Sequence, residues 1–424
     1  MTNPPLSRPR ARGVFALLAT TALAVGVIVD IGIAQQTVFR SAVDLVAVEV
    51  LVVDGKGNPI PSIMPEAFEV SIDGRRRRVV SAQFISHGST PPVDAASLPD
   101  APPASDRATT GRTLILAIDS GSFEPGDARA PMDALRNLVG RLNPDDSVGL
   151  YIYPTTVWIP PSRDRVRVRI ALDKVQGDKQ PIRSRYNLRP WEIVDITTLW
   201  TNPSSFLTGA ATSVFDPVIN VQRRECPSET DCPNRIYAEA RSLALQVERE
   251  LHDSLAGLDA LLHGLSTMPG RKSVVLISAG LLSSDRMDGR PDAGNSARLL
   301  GQAAARANAT VYTVHVDTNS STRASAARRG AGNSDSGRER ALLANWLDEF
   351  SDASGGRRIY SAVGDAAFAF DRVLRESSAY YLLGVEPGEE DRSGKPRKLQ
   401  VKVDRRNVIV RSRQWVVIPT RRPS

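Results

Sequence analysis

Apolar runs that end in small or polar residues recur along the middle of the chain. They read RTLILAIDS from Arg112, VGLYIY from Val148, SVVLIS from Ser273 and VYTVHVD from Val311. A continuous apolar run bounded by turn residues is typical of a strand buried on both faces, as in a parallel sheet beneath helices. The pattern therefore predicts an α/β domain in which a mostly parallel central sheet has helices on both faces.

Segments with helical spacing separate these runs. In the longest, Ile236–Leu265, apolar residues step by three or four positions along one face. Such spacing predicts a helix of roughly 30 residues that is about 45 Å long. Shorter helices are predicted over Met132–Leu142, Arg165–Val175, Ser296–Asn308, Glu339–Ala353 and Phe368–Ser377.

The segments on either side of this domain are β-rich. Val43–Asp54 and Phe68–Ile72 precede it, and Asp73-Gly74 predicts a hairpin between the second of these strands and Val79–Ile85. Three strands of similar pattern are predicted after the domain, at Tyr380–Val385, Leu399–Val403 and Val408–Trp415. We predict that segments 35–87 and 379–424 pair into one small β-sandwich beside a central domain that spans 112–378.

The first residues have the composition of an export signal. Three arginines between residues 8 and 12 precede an apolar run from Val14 to about Val29, and a small-residue stretch ends at Ala34. This order predicts a secretory signal over 1–34 and an exported protein. An uncleaved membrane anchor is the alternative, because the run is nearly long enough to span a bilayer. The Pro- and Ala-rich segment 88–111 is predicted to be a linker.

Segment 177–235 lacks the periodicity of its surroundings and is predicted to be an insertion. It holds Trp191 and Trp200, which either cover the surface of the domain or bind a partner. Cys226 and Cys232 lie close together in a polar loop of this segment. An oxidising compartment favours a local disulfide over two free thiols there. Closing so short a loop contributes on the order of 2 kcal/mol to local stability.

Composition narrows the class of protein. The apolar content of 41% and the charged content of 24% are globular values, and 424 residues suit one large domain with a smaller one. A net charge of +7 permits weak attraction to nucleic acid. No basic and aromatic recognition module accompanies that charge, so no nucleic-acid partner is predicted.

Candidate chemistry lies where the first apolar run ends. Asp119, Ser120 and Ser122 follow Ile118 directly. They therefore lie at the carboxyl end of a predicted parallel strand, which is where open α/β sheets bind ligands. Carboxylate and hydroxyl oxygens are suitable ligands for Mg²⁺ or another hard divalent cation.

The order of strands and loops resembles the von Willebrand factor A domain, and more narrowly bacterial exported proteins that carry a related domain. The segments that carry the resemblance are VDLVAVEVLVVDGKGNPI, RTLILAIDS, RYNLRPWEIVDI, the REC…C loop, RKSVVLISAGL and SAYYLLGVEP. They extend over nearly the whole chain after the signal. The resemblance implies a Rossmann-like fold for 112–378 and a metal-ion-dependent adhesion site at its top.

The implied metal site is degenerate in its first motif. The family motif is Asp-x-Ser-x-Ser, and Asp119 matches its first position. Gly121 and Phe123 occupy the two Ser positions, so Ser120 and Ser122 are each displaced by one residue. These residues are therefore interpreted as the remnant of a metal site. The alternative is that they cap the first helix or bond within their own loop.

The other implied ligands are also missing or displaced. An Asp normally follows the fourth strand of the family, but this chain has Ala279 and Gly280, and Asp285 lies too far downstream. A Thr ligand normally enters from a loop that the insertion replaces, where Thr208 and Thr212 are candidate substitutes.

Catalytic motifs do not stand in the contexts that they require. Gly270-Arg271-Lys272-Ser273 precedes a strand instead of joining a strand to a helix, unlike a phosphate loop. The sequence thus predicts a non-enzymatic exported module, without a cofactor, that binds an unidentified protein of the cell envelope. A divalent-cation-dependent adhesion domain is the alternative, and an uncharacterised hydrolase is a lesser one. Membrane contact is expected only if the N-terminal segment stays uncleaved.

Overall fold

The computed structural model describes residues 45–87, 111–201, 217–286, 289–318 and 333–420. The predicted signal 1–34, nearly all of the linker 88–111, and Thr208 and Thr212 lie outside these residues. Expectations about them stay predictions.

A six-stranded sheet forms the centre of the fold. Its strands are β5 (Thr113–Asp119), β6 (Ser147–Tyr153), β7 (Val157–Ser162), β8 (Lys272–Ser278), β9 (Ala309–Asp317) and β10 (Arg358–Ala362). Their order is β10-β9-β8-β5-β6-β7, and every pair is parallel except β6 with β7. All four apolar runs of the sequence are strands of this sheet, which confirms the predicted α/β class.

Helices cover both faces of the sheet. They are α1 (Arg129–Arg141), α2 (Val166–Leu172), α3 (Pro190–Thr201), α4 (Pro217–Glu225), α5 (Cys232–Ser266), α6 (Ser296–Arg306), α7 (Asn333–Ala353) and α8 (Ala366–Glu376). Leu114, Leu116 and Ile118 of β5 share a core with α1, α2 and α8. Ile115 and Ala117 face the other core, with α5, α6 and α7. Both faces of β5 are therefore buried, as its unbroken apolar run predicts. Among the residues described, no helix combines the length and apolarity needed to cross a bilayer.

Among the residues described, eight strands from the two ends of the chain form two four-stranded sheets. The strands are β1 (Val46–Val53), β2 (Phe68–Ile72), β3 (Arg75–Arg77), β4 (Val79–Ser86), β11 (Ala379–Val385), β12 (Pro396–Val403), β13 (Ile409–Ser412) and β14 (Trp415–Val417). The orders are β13-β1-β11-β4 and β14-β12-β2-β3, so each sheet combines strands from both ends. Side chains of both sheets share one hydrophobic cluster.

Two predicted strand assignments in this region were wrong. The turn at Asp73-Gly74 joins β2 to the short strand β3, whereas β4 pairs with β11 in the other sheet. Both turn residues have positive φ (49° and 79°), which supports a tight two-residue hairpin. The predicted strand Val408–Trp415 is divided into β13 and β14, because the chain changes sheets at Arg413.

The insertion contains more regular structure than its sequence indicates. It holds α3, α4 and the start of α5, which begins four residues before the predicted Ile236. Apolar residues of these three helices form a separate hydrophobic cluster. Cys226 and Cys232 form the predicted disulfide, with their Cα atoms 6.5 Å apart, and join the end of α4 to the start of α5. The helix α3 was missed because its polar and apolar residues are not separated onto opposite faces.

Candidate functional site

The crevice at the carboxyl edge of the sheet is built around Asp119, the last residue of β5. Its side chain is fully buried, with 0% exposure. Oδ1 accepts a hydrogen bond from Ser254 Oγ of α5 at 3.1 Å. Oδ2 accepts one from Ser278 Oγ, at the end of β8, at 3.0 Å. Both carboxylate oxygens are thus satisfied by neutral hydroxyls from neighbouring elements.

Burial controls the charge of this carboxyl group. It raises the pKa of Asp119 to about 6, because removal from water disfavours the ionised form. The hydroxyls of Ser278 and Ser254 and the positive charge of Lys179 act against this rise. Asp119 therefore titrates much closer to neutral pH than an exposed aspartate does.

Ser120 and Ser122, in the loop after β5, form hydrogen bonds that connect this loop to neighbouring loops. Ser122 Oγ donates to the backbone oxygen of Asp119 at 2.8 Å and accepts from the backbone N–H of Ala279 at 2.9 Å. Ser120 Oγ lies 2.9 Å from the backbone oxygen of Tyr153 and 2.7 Å from Oδ2 of Asp178. Ser122 thus bonds within its own loop and to the loop after β8. Neither serine caps α1, which begins only at Arg129.

Close packing occupies the space around Asp119. The ring of Tyr153 lies against Gly257 of α5, where a Cβ atom would come within 2.6 Å of ring carbon Cδ2. The position of Gly280, after β8, has a φ of +114°, and a Cβ atom there would lie 2.7 Å from Cβ of Leu343. Any side chain at position 280, including the Asp that the resemblance implies in this loop, would be strained and would collide with α7.

Asp285 belongs to an ion-pair network instead of the crevice. Arg338 of α7 donates to Oδ2 of Asp285 at 2.9 Å and to Oδ1 of Asp195 at 2.6 Å. The guanidinium holds the pKa of Asp285 below its usual value, although burial opposes this effect. The network ties α7 to α3 and to the loop after β8.

His315 of β9 is buried with both ring nitrogens engaged. Nδ1 accepts from Arg358 Nη1 and Nε2 donates to the backbone oxygen of Ala279, each at 3.3 Å. Burial, with Arg358 beside the ring, lowers its pKa to about 4. The imidazole is therefore neutral at neutral pH, and its basic nitrogen faces a guanidinium instead of a hydroxyl nucleophile.

Of the two tryptophans in the insertion, the structure describes the side chain of Trp191. Trp191 is half-buried and packs against a cluster that contains Val194, Val247 and Leu343. This packing favours the covering role for Trp191. The side chain of Trp200 lies outside the described residues, so its partner-binding role stays a prediction.

Exposed aromatic side chains that the sequence did not indicate lie near the carboxyl edge of the central sheet. Phe368, in the first turn of α8, is 65% exposed, and Tyr360 of β10 is 47% exposed. Trp158 is 42% exposed and belongs to β7, which is the outermost strand on the side of the sheet away from β10. Phe368 was missed because it belongs to an amphipathic segment, where a phenylalanine is expected to face the core.

Neither the grouping of possible metal ligands nor the comparison with known proteins assigns a metal or a family to this site. In the part of the chain that the structure describes, no three His, Cys, Asp or Glu side chains are grouped so that they could hold a metal ion. No protein-family model matches the chain, and no curated protein matches it.

Proposed function

We propose that this chain is a non-enzymatic, exported protein-interaction module that works without a metal ion. Its central domain is then related to the von Willebrand factor A domain, and its two ends form one β-sandwich beside it. The order of the six central strands and the position of Asp119 at the end of a central strand support the first assignment. The hydrophobic cluster shared by the two four-stranded sheets supports the second.

The observation that carries the proposal is the closed state of the crevice. Ser254 and Ser278 occupy both oxygens of Asp119, and the whole side chain is shielded from solvent. A cation at this place would have to displace these hydroxyls and find further oxygen ligands. Since the crevice is filled, a ligand of this edge has to bind on its outer surface.

Aromatic side chains at that surface favour a protein as the ligand. Phe368 and Tyr360 are exposed near the carboxyl edge, and exposed aromatic residues are typical anchors of protein interfaces. Export is supported by the disulfide between Cys226 and Cys232, since such bonds persist in oxidising compartments. The envelope is therefore the place to search for the partner.

Site-specific photocrosslinking in cells tests the proposal. A Phe368→p-benzoylphenylalanine variant places the crosslinker at the proposed surface. Met64 is the matched control position, because its exposure of 67% is close to the 65% of Phe368 and it lies before β2, in the region of the two smaller sheets. Cells that express each variant are irradiated with and without EDTA, and adducts are identified by mass spectrometry.

The expected result is a discrete protein adduct at position 368 that is absent at position 64 and unchanged by EDTA. Absence of any adduct at 368 would argue against this surface. An adduct that EDTA abolishes would favour the cation-dependent alternative.

A further inference from the structure

A groove opens where the chain passes from one small sheet to the other. Strand β13 pairs with Val50–Val53 of β1, and β14 then pairs with β12 in the other sheet. Among the residues described, Val46–Glu49 of β1 consequently pair on one side only, with β11, and β14 is the edge strand of its sheet. Both strands line a groove of about 580 Å³. Its volume lies within the range of ligand-binding clefts.

Cations outnumber carboxylates in the floor of the groove and directly behind it. Arg392, Arg413 and Glu49 line the groove, whereas Arg271 and Lys272 lie behind this lining. Glu49 Oε2 lies 2.9 Å from Arg271 Nε and 3.8 Å from Arg413 Nη1. Lys272 is buried beside them and adds a further positive charge. Its ammonium group donates hydrogen bonds to two backbone oxygens. Burial, together with the nearby charge of Arg271, lowers the pKa of Arg413. One carboxylate thus serves several cations, and the floor has an excess of positive charge.

The walls of the groove are suited to an extended chain. Leu45, Val46 and Val417 provide apolar surface beside the two strand edges. The indole nitrogen of Trp415, which also lines the groove, is buried and has no hydrogen-bond partner within the described part of the chain. An edge strand offers backbone N–H and C=O groups to an added strand. Apolar walls, open strand edges and a cationic floor therefore occur together.

We propose that this groove binds an extended peptide segment of another protein, which adds to a strand edge and places a carboxylate at Arg413. Backbone hydrogen bonds to β1 or β14 would supply the sequence-independent part of the affinity, as in other cases of strand addition. The carboxylate, from an acidic side chain or from a free C-terminus, supplies the missing negative charge and accepts charge-assisted hydrogen bonds. A basic peptide is disfavoured by the same charges.

This groove is remote from Phe368 in the fold, so the inference does not depend on the proposed function. The groove lies between β1, β14 and the end of α6, whereas Phe368 lies at the start of α8. Crosslinking at position 368 and peptide binding in the groove can therefore fail separately.

Three fluorescein-labelled libraries of short, β-prone peptides test the inference. The first has an internal Glu and an amidated C-terminus, the second has Gln and a free C-terminus, and the third has Gln and an amidated C-terminus. Fluorescence polarisation measures their binding to the purified full-length chain. We expect the first or the second library to bind about tenfold more tightly than the third, and the difference between the first two identifies the source of the carboxylate.

Variants locate the binding. Arg413→Gln should remove the preference for carboxylates. Arg129→Gln should keep it, because Arg129 lines a different groove, beside α1 and α2. Since Arg413 also bonds the side chain of Asn308, its variant is checked by thermal unfolding. Trp415→Phe, which replaces the two-ring indole with one phenyl ring and so removes the N–H together with part of the aromatic surface, provides a second variant that should weaken binding several-fold.

Hydrogen exchange of the complex completes the test. Bound peptide should slow amide exchange in Val46–Glu49 or Trp415–Val417. The inference is overturned if no library binds, if all three libraries bind equally, if the carboxylate preference survives in folded Arg413→Gln, or if protection appears elsewhere.

Discussion

Two carboxylates with 0% exposure lie at opposite edges of the central sheet and have different partners. Asp119, at the carboxyl edge, is bonded by the hydroxyls of Ser254 and Ser278. Glu376, at the end of α8, is held by Arg357, Arg372 and Arg411, at 3.2, 3.1 and 3.4 Å. The carboxyl group of Asp119 is thus held by neutral hydroxyls, whereas Glu376 makes ion pairs with three guanidiniums.

These different partners distinguish the closed carboxyl edge around Asp119 from a charged junction around Glu376. Arg411 belongs to β13, so Glu376 joins the helical layer of the central domain to the smaller sheets. Glu49, in β1, makes a similar junction with Arg271 and Arg413. Arginines outnumber carboxylates at both places. The excess at Glu49 is the physical basis of the cationic groove, whereas Asp119 is bonded by the neutral hydroxyls of Ser254 and Ser278.

Replacement of Glu376 should have the largest effect. Glu376→Gln leaves three guanidiniums without their shared counter-charge, and breaking a buried ionic cluster typically costs about 3–5 kcal/mol. We expect a loss of that size in urea-induced unfolding. Asp371→Asn, which breaks the exposed pair with Arg141, is the control and should cost less than about 1 kcal/mol. Equal losses in the two variants would show that the junction does not depend on Glu376.

Replacement of Asp119 should change the free energy of unfolding by an amount that depends on pH. Its folded pKa of about 6 exceeds the ordinary 3.8, so the folded state binds this proton more tightly than the unfolded chain. This group therefore favours folding at low pH, and the benefit is lost as pH rises from about 4 to about 6. Asp119→Asn removes the titration, while its amide can still bond both serines.

The measurement is the difference in unfolding free energy between the wild-type chain and Asp119→Asn at several pH values. The difference should move in favour of the variant by about 2 kcal/mol between pH 4 and pH 7. Ser81→Ala on β4, an exposed position far from the crevice, controls for the general pH dependence of the fold. A difference that is constant with pH would mean that Asp119 does not titrate in this window.

Loss of the disulfide should have an intermediate and more local effect. The Cys226→Ala, Cys232→Ala double variant frees the link between α4 and α5, and closing so short a loop contributes about 2 kcal/mol. Hydrogen exchange should accelerate in α4 and in the first turns of α5 but not in β5 or β8. Acceleration throughout the sheet would show instead that the insertion supports the whole domain.

The smallest effect is expected for the ion pairs at the carboxyl edge. Arg338 keeps 27% of its side chain exposed, so solvent screens its pairs with Asp195 and Asp285. Arg338→Gln should lower stability by about 1 kcal/mol or less. Thermal unfolding in low and high salt checks this, because screening should reduce the difference between variant and wild type. An effect as large as that of Glu376→Gln would remove the contrast between the two edges.

Features encoded by local pattern were predictable from the sequence. The unbroken apolar run of β5 indicated a strand buried on both faces, and the spacing of leucines in α5 indicated one long helix. Each of these signals lies within one segment, where periodicity or composition determines the local structure.

Features that depend on contacts between distant segments were not predictable. Ser254 bonds Asp119 across 135 residues of sequence. Its helical spacing from Leu251 and Leu258 places it on the buried face of α5, but that spacing does not identify its partner. The excess of positive charge at Glu49 requires Arg271 and Arg413 to meet, although they lie in different segments. The change of sheet at Arg413 also escaped prediction, because β13 and β14 form one continuous β-rich stretch in the sequence.

Calorimetric titration of the full-length chain with Mg²⁺, Mn²⁺ and Ca²⁺ near pH 7.5 tests whether Asp119 holds a cation. We expect no saturable heat with any of the three cations, and no difference between the wild-type chain and Asp119→Asn. Saturable binding of a single cation that Asp119→Asn abolishes would contradict the proposed metal independence and favour a cation-dependent adhesion domain.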